Sequence, residues 1–260
     1  MLDEILARLP AYLLIAVRAL AMIETAPLLS SEANPRLVRV ALAGFAAFCA
    51  LPLAPAIAPE SSTIAFVFQV VGEALIGIIM GFFINLVFAA FSSAGQFFSL
   101  QMGFGASETF DPLAQIENPL LGQYLNLIAM FTFLCVGGFR SLFLGGFLRS
   151  LESLSVATLI ASRGDFLSFF LVGLSRLFSD ALLISLPIVG TLFLISVTTG
   201  LLSKAAPQMN LLSEGFPISI TVAFGMILFI MPFMVEHFAH IMDAGFRQLE
   251  TLLATVGSGI

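Results

Sequence analysis

What most constrains this chain is the length of its apolar regions. About six stand out against the ~20 apolar residues a helix needs to cross a hydrocarbon core. They are residues 5–29, 37–58, 64–91, 120–139 with an apolar tail to Leu148, 166–202, and 216–241. Short alternating segments, the mark of a membrane barrel, do not occur, so helix is the only form that satisfies the backbone in lipid. The third region runs on through SSAGQFF towards Met102 without a strong breaker. The fifth is longer than one crossing needs and has Pro187 near its middle, which predicts one long kinked helix or a hairpin. The expected fold is an all-α integral membrane protein of long kinked helices and helical hairpins, one membrane domain over residues 1–260.

Composition agrees. Only 10% of the residues are charged and 59% are hydrophobic, with a mean hydropathy of +1.08. A soluble domain carries about 25% charged residues to cover its surface. The net charge of −6 and the single lysine, Lys204, exclude a nucleic-acid partner, which needs clustered bases. Cys49 and Cys135 lie deep in apolar runs and are expected to be buried small side chains, not a disulfide or a metal pair. The start, MLDEILARLP, is acidic before it is basic and shows no signal-peptide cleavage site. Basic residues divide too evenly for the positive-inside rule to orient the chain. With Trp absent and two Tyr, aromatic belts are weak, so other subunits as well as membrane lipid are expected around the helices.

Polar groups inside the apolar regions are the candidate functional residues. Glu73 stands alone in its stretch, where a carboxylate must be neutral or paired. It reads either as a proton relay or as a structural hydrogen-bond partner of a neighbouring helix. Arg18 and Glu24 are six apart on poorly matched faces, so each needs a partner from elsewhere. Arg176 and Asp180 sit four apart on one face and can pair with each other. Gly77 and Gly81 form a GxxxG, Ala43 and Ala47 repeat its spacing, and Gly137, Gly138, Gly145 and Gly146 cluster later; such spacing lets backbones approach closely. Glu236, His240 and Asp243 share a helical face, with His237 beside them, but no closed ligand set is visible and no metal is expected. No phosphate loop, dinucleotide fingerprint or nucleophile elbow occurs, so neither an enzyme nor a cofactor is expected.

Two polar islands interrupt the apolar pattern. The first is Gly103 to Pro119, within the stretch SLQMGFGASETFDP that begins at Ser99, and its candidate residues are Met102, Gly103, Phe104, Gly105, Ser107, Phe110, Asp111 and Pro112. It places apolar knobs on a glycine-jointed polar string without a single base. Non-helical backbone at membrane depth is tolerated only inside protein or along a wet cavity; outside the membrane it is a connector. The residues leave both readings open. The second island, KAAPQMNLLSEGFP, contains Pro207, Gln208, Glu214, Gly215 and Pro217. It reads as a hairpin tip or a subunit contact.

Four stretches, TAPLLSSEANPRLVRVALA from Thr25, GEALIGIIMGF from Gly72, SLQMGFGASETFDP from Ser99 and LLSKAAPQMNLLSEGFPISI from Leu201, make the chain resemble the FliR family of type III export-gate subunits over essentially its whole length. The resemblance implies a non-enzymatic role beside FliP-like and FliQ-like subunits, in a bacterial inner-membrane gate of the flagellar basal body. FlhA-like and FlhB-like export proteins and the proton motive force would drive unfolded flagellar subunits through it. It implies that the first island reaches into the pore and helps plug it, and that the helices stack as hairpins in the complex. A homologous subunit of a virulence secretion system is the alternative within the resemblance. A small-molecule transporter is the alternative outside it, though the two halves show no matched broken helices.

Overall fold

The computed structural model describes residues 2–31, 34–53, 62–103, 120–205 and 211–257, the side chains of 2–7 and 211–214 excepted. The protein is all-α; no strand occurs among the described residues. Its helices are α1 (Leu2–Thr25), α2 (Arg36–Ala50), α3 (Thr63–Gln101), α4 (Leu120–Cys135), α5 (Gly138–Ser153), α6 (Val156–Ala161), α7 (Arg163–Ala205) and α8 (Leu211–Gly257).

Local chemistry explains most boundaries. Pro35 precedes α2, where its missing N–H costs nothing. Gly137, at φ 74°, separates α4 from α5, a backbone state that only glycine adopts freely. Ser155 and Thr158 form a capping box that starts α6. Within α5, Ser141–Leu148 is wound as a π-helix. The three longest helices, α3, α7 and α8, hold 39, 43 and 47 residues. At 1.5 Å per residue they are about 58, 64 and 70 Å long, roughly twice the ~30 Å hydrocarbon thickness.

Set against about six expected apolar regions, three helices among the described residues are long and apolar enough to cross a membrane, or up to four if α4 and α5 make one broken span. The 15 residues of α2 reach only ~22 Å. The third region does continue through SSAGQFF, to Gln101. The hairpin alternative for the fifth is overturned: α7 passes Pro187 as one helix. Proline removes one hydrogen bond, and a long apolar helix with every other bond intact absorbs that loss.

The helical residues group into two compact units. The first comprises Met1–Val87, Val136–Leu174 and Met242–Ile260. In it α1 packs on α2, whose buried face is Ala43, Ala47 and Ala50. Phe83 stacks on Phe169 at 4.8 Å between ring centres. The second unit comprises Phe88–Cys135 and Ser175–Ile241. Its core holds Phe91 against Phe238 at 4.2 Å and Phe88 against Phe133 at 5.6 Å. Gly95 meets Gly122 so closely that a Cβ on Gly95 would lie 2.6 Å from the Gly122 Cα.

Much apolar surface stays uncovered. Only 28% of the most apolar stretch of α7 and 17% of that of α8 are buried within the chain, against 50% for α3. Phe193, Leu194, Leu228 and Phe229 all point outward. The expected burial of the two cysteines is corrected here: Cys49 and Cys135 are free and exposed, since each lies on an outward face of a helix whose other side packs.

Gly77 and Gly81 face α1. A Cβ on Gly77 would run into the Arg18 carbonyl, and one on Gly81 into the Thr25 hydroxyl and the Met22 carbonyl at 2.6 Å. Gly77→Ala is therefore expected to destabilise the purified chain by about 1–3 kcal/mol, as overpacking does. Gly225→Ala, at a position with nothing within 4 Å, should be neutral or stabilise by up to ~1 kcal/mol. Thermal unfolding in detergent checks both.

Candidate functional site: a buried polar joint

Among the described residues, Arg18 is the one buried base, at 1% exposure, and it lies inside the first unit. α1 carries it among Leu14, Ile15, Ala19 and Met22, all buried. An unpaired cation there would be very costly. The structure supplies partners for all three guanidinium nitrogens. Nε donates to Glu73 Oε2 at 2.6 Å, and Nη2 lies 2.6 Å from the same oxygen. Nη1 donates to the Ser150 carbonyl at 2.6 Å and to the Ser150 hydroxyl oxygen at 3.2 Å. Nη2 also donates to the Leu154 carbonyl at 3.0 Å.

The arrangement is cooperative. Glu73, 3% exposed, comes from α3 and neutralises the charge. Ser150 lies in the last turn of α5 and Leu154 just past its end, where a cation is favoured; the Ser150 carbonyl also accepts from the Leu154 N–H at 2.9 Å. Arg18 thus closes a salt bridge and caps a helix with one planar group, a geometry lysine cannot reproduce. The nearby glycine contact brings α1 and α3 close enough for it: the Arg18 carbonyl touches the Gly77 position while its side chain reaches Glu73.

The other sequence candidates fall elsewhere. Glu24 pairs with Arg39 of α2, near the surface. Arg176 and Asp180 lie on α7 in the second unit. His237 Nε2 and Asn126 Oδ1 are buried there without a hydrogen-bond partner. No group of three or more metal-ligating side chains occurs among the described residues. Met102 is buried, and Gly103, at φ 91°, holds its backbone against Phe216, a Cβ there falling 2.5 Å from Cδ1. Phe104, Gly105, Ser107, Phe110, Asp111 and Pro112 lie outside the described residues, as do Pro207 and Gln208. Glu214 contributes backbone to α8, which also contains Gly215 and Pro217.

Sequence reading missed Ser150, Leu154 and the pair of Arg149 with Glu250 at 3.4 Å. Two of these partners are carbonyls, which every residue carries, so no side-chain pattern marks them. Arg18→Met leaves Glu73 buried without its cation and is expected to cost about 3–5 kcal/mol. The double change to Met at positions 18 and 73 should recover only part, because the Ser150 and Leu154 carbonyls still lack that donor. Arg149→Ala, at a pair 54% and 38% exposed, should stay within ~1 kcal/mol. Thermal unfolding of these variants beside the wild type gives the comparison.

Comparison with known proteins fits an all-helical, apolar chain. The chain is 29% identical to the flagellar biosynthetic protein FliR of Bacillus subtilis, across 98% of this chain and 99% of that protein. It is 31% identical to the FliR of Pectobacterium carotovorum, across 93% and 92%. It is 29% identical to the surface presentation of antigens protein SpaR of Shigella flexneri, across 61% and 59%. The family model described as bacterial export proteins, family 1, matches residues 9–245. With that match running from within α1 into α8, the chain belongs to the family of bacterial export proteins, family 1.

Proposed function

We propose that the protein is a subunit of the flagellar type III export gate, assembling with FliP-like and FliQ-like subunits into the channel through which unfolded flagellar subunits cross the bacterial inner membrane. FlhA-like and FlhB-like export proteins act beside it. Its whole length serves as one membrane piece. The observation that carries this reading is the uncovered apolar surface of α7 and α8, on helices about twice as long as a bilayer needs. Lipid covers only ~30 Å of such a helix. The outward large apolar side chains of α7 run from Leu167 to Leu202, further than lipid covers, so part of that face calls for protein neighbours, and an export family supplies a reason for them.

The flagellar reading is favoured over the virulence one by coverage. The FliR proteins of Bacillus subtilis and Pectobacterium carotovorum align over 98% and 93% of the chain, whereas SpaR aligns over 61% of it, as does one FliR at 62%. The first island, residues 103–119, is taken as the plug. Apolar knobs on a glycine-jointed tether can seal against ions and still yield to a passing chain, and the lack of bases avoids a fixed positive barrier.

Two measurements test this. A pull-down in mild detergent is expected to recover FliP-like and FliQ-like partners in a fixed complex; a stable monomer that carries a solute would support a transporter instead. Deleting residues 103–118 is expected to raise ion leakage through the assembled gate. Unchanged conductance would count against the plug.

A further inference from the structure

The π-helix in α5 needs an explanation. Runs of this form are rare, usually a single turn, and frequent at functional sites. Here it covers the eight residues SLFLGGFL, Ser141–Leu148. A π turn bonds each amide to the carbonyl five residues back, an α turn to the one four back. Rewinding one turn to α would rotate the remainder of the helix by about 100°, the step of a single residue. The last turn of α5 therefore takes its register from the π segment.

That last turn is Arg149–Ser153, and its two long-range polar contacts depend on that register. Arg149 reaches Glu250 at 3.4 Å. Ser150 meets Arg18 through its carbonyl and its hydroxyl. The Ser150 hydroxyl in turn donates to the carbonyl of Phe147, inside the π segment, at 2.7 Å. An unbroken line of hydrogen bonds thus runs from the buried guanidinium to a π-helical carbonyl. Two glycines let the segment sit flush in the first unit: a Cβ on Gly145 would lie 2.6 Å from Glu250 Oε1, and one on Gly146 3.2 Å from Met80 Cε.

We propose that Ser141–Leu148 is a switchable segment and that Arg18 is the positioning residue that latches it in the π form. Glu73 holds the guanidinium in place. The guanidinium holds Ser150 and Leu154. Ser150 fixes Phe147. When the latch lets go, the segment rewinds to α-helix, Arg149 leaves Glu250, and the end of α5 turns within its unit. The use of this switch during export rests on the function proposed above; the latch itself does not.

Amide hydrogen exchange in the full-length chain, held in lipid nanodiscs, tests the latch. Arg18→Lys and Ser150→Ala should each speed exchange across residues 141–154 by about tenfold, while α4 keeps its wild-type rates. Ser150→Ala leaves the ion pair intact, so it decides the matter even where Arg18→Lys fails to fold. Unchanged exchange in Ser150→Ala overturns the latch. Deleting Gly145 removes the one residue by which a π turn exceeds an α turn. The shortened chain turns Ser150 away from Arg18, so it should exchange faster than wild type at the end of α5 and lower flagellar export at least about tenfold. Wild-type export in that deletion overturns the switch while leaving the export role standing. Failure of the pull-down and leakage tests overturns the export role while leaving the exchange result untouched.

Discussion

A guanidinium cannot stay charged in an apolar interior unless nearly every one of its N–H groups is answered. Arg18 imposes that requirement on the first unit. Glu73 supplies the countercharge, and the end of α5 supplies neutral acceptors. These contacts span 55, 132 and 136 residues of sequence, so the joint forms only when α1, α3 and α5 are all in place. Hydrophobic burial favours many arrangements of oily helices almost equally. A buried ion pair with a fixed fork favours one.

Small residues make that joint reachable. Gly77 and Gly81 admit the backbone of α1, and Ala43, Ala47 and Ala50 bring α2 against it. Lipid tails are as apolar as leucine, so helices gain little by hiding oily side chains from lipid; close backbone contact and hydrogen bonding decide which faces meet. The large side chains left over, among them Phe48, Phe193, Leu228 and Phe229, turn outward. On α7 the outward apolar side chains run from Leu167 to Leu202, a longer stretch than a bilayer covers.

Fold class was legible because composition and hydropathy are local properties. Ten per cent charge, long apolar runs and no alternation leave helix in an apolar setting as the only solution. The need of Glu73 and Arg18 for partners was legible for the same reason. The identity of those partners was not. Glu24, six residues from Arg18, is nearer in sequence, yet it pairs with Arg39, while Arg18 reaches across to Glu73 and Ser150. Nor could the exposure of Cys49 and Cys135 be read from their oily neighbours, because helical facing, not local hydropathy, sets it.

By itself the sequence determined that this chain is helical, apolar and charge-poor, that its third apolar region runs on unbroken towards Met102, and that two charges inside apolar regions needed company. Only the tertiary structure decided that the two charges answer each other, that backbone carbonyls of α5 complete the set, and that α7 passes Pro187 as one helix. The reason is that hydropathy and turn chemistry act within a few residues, whereas a hydrogen bond to a carbonyl more than a hundred residues away has no signature until the chain has folded around it.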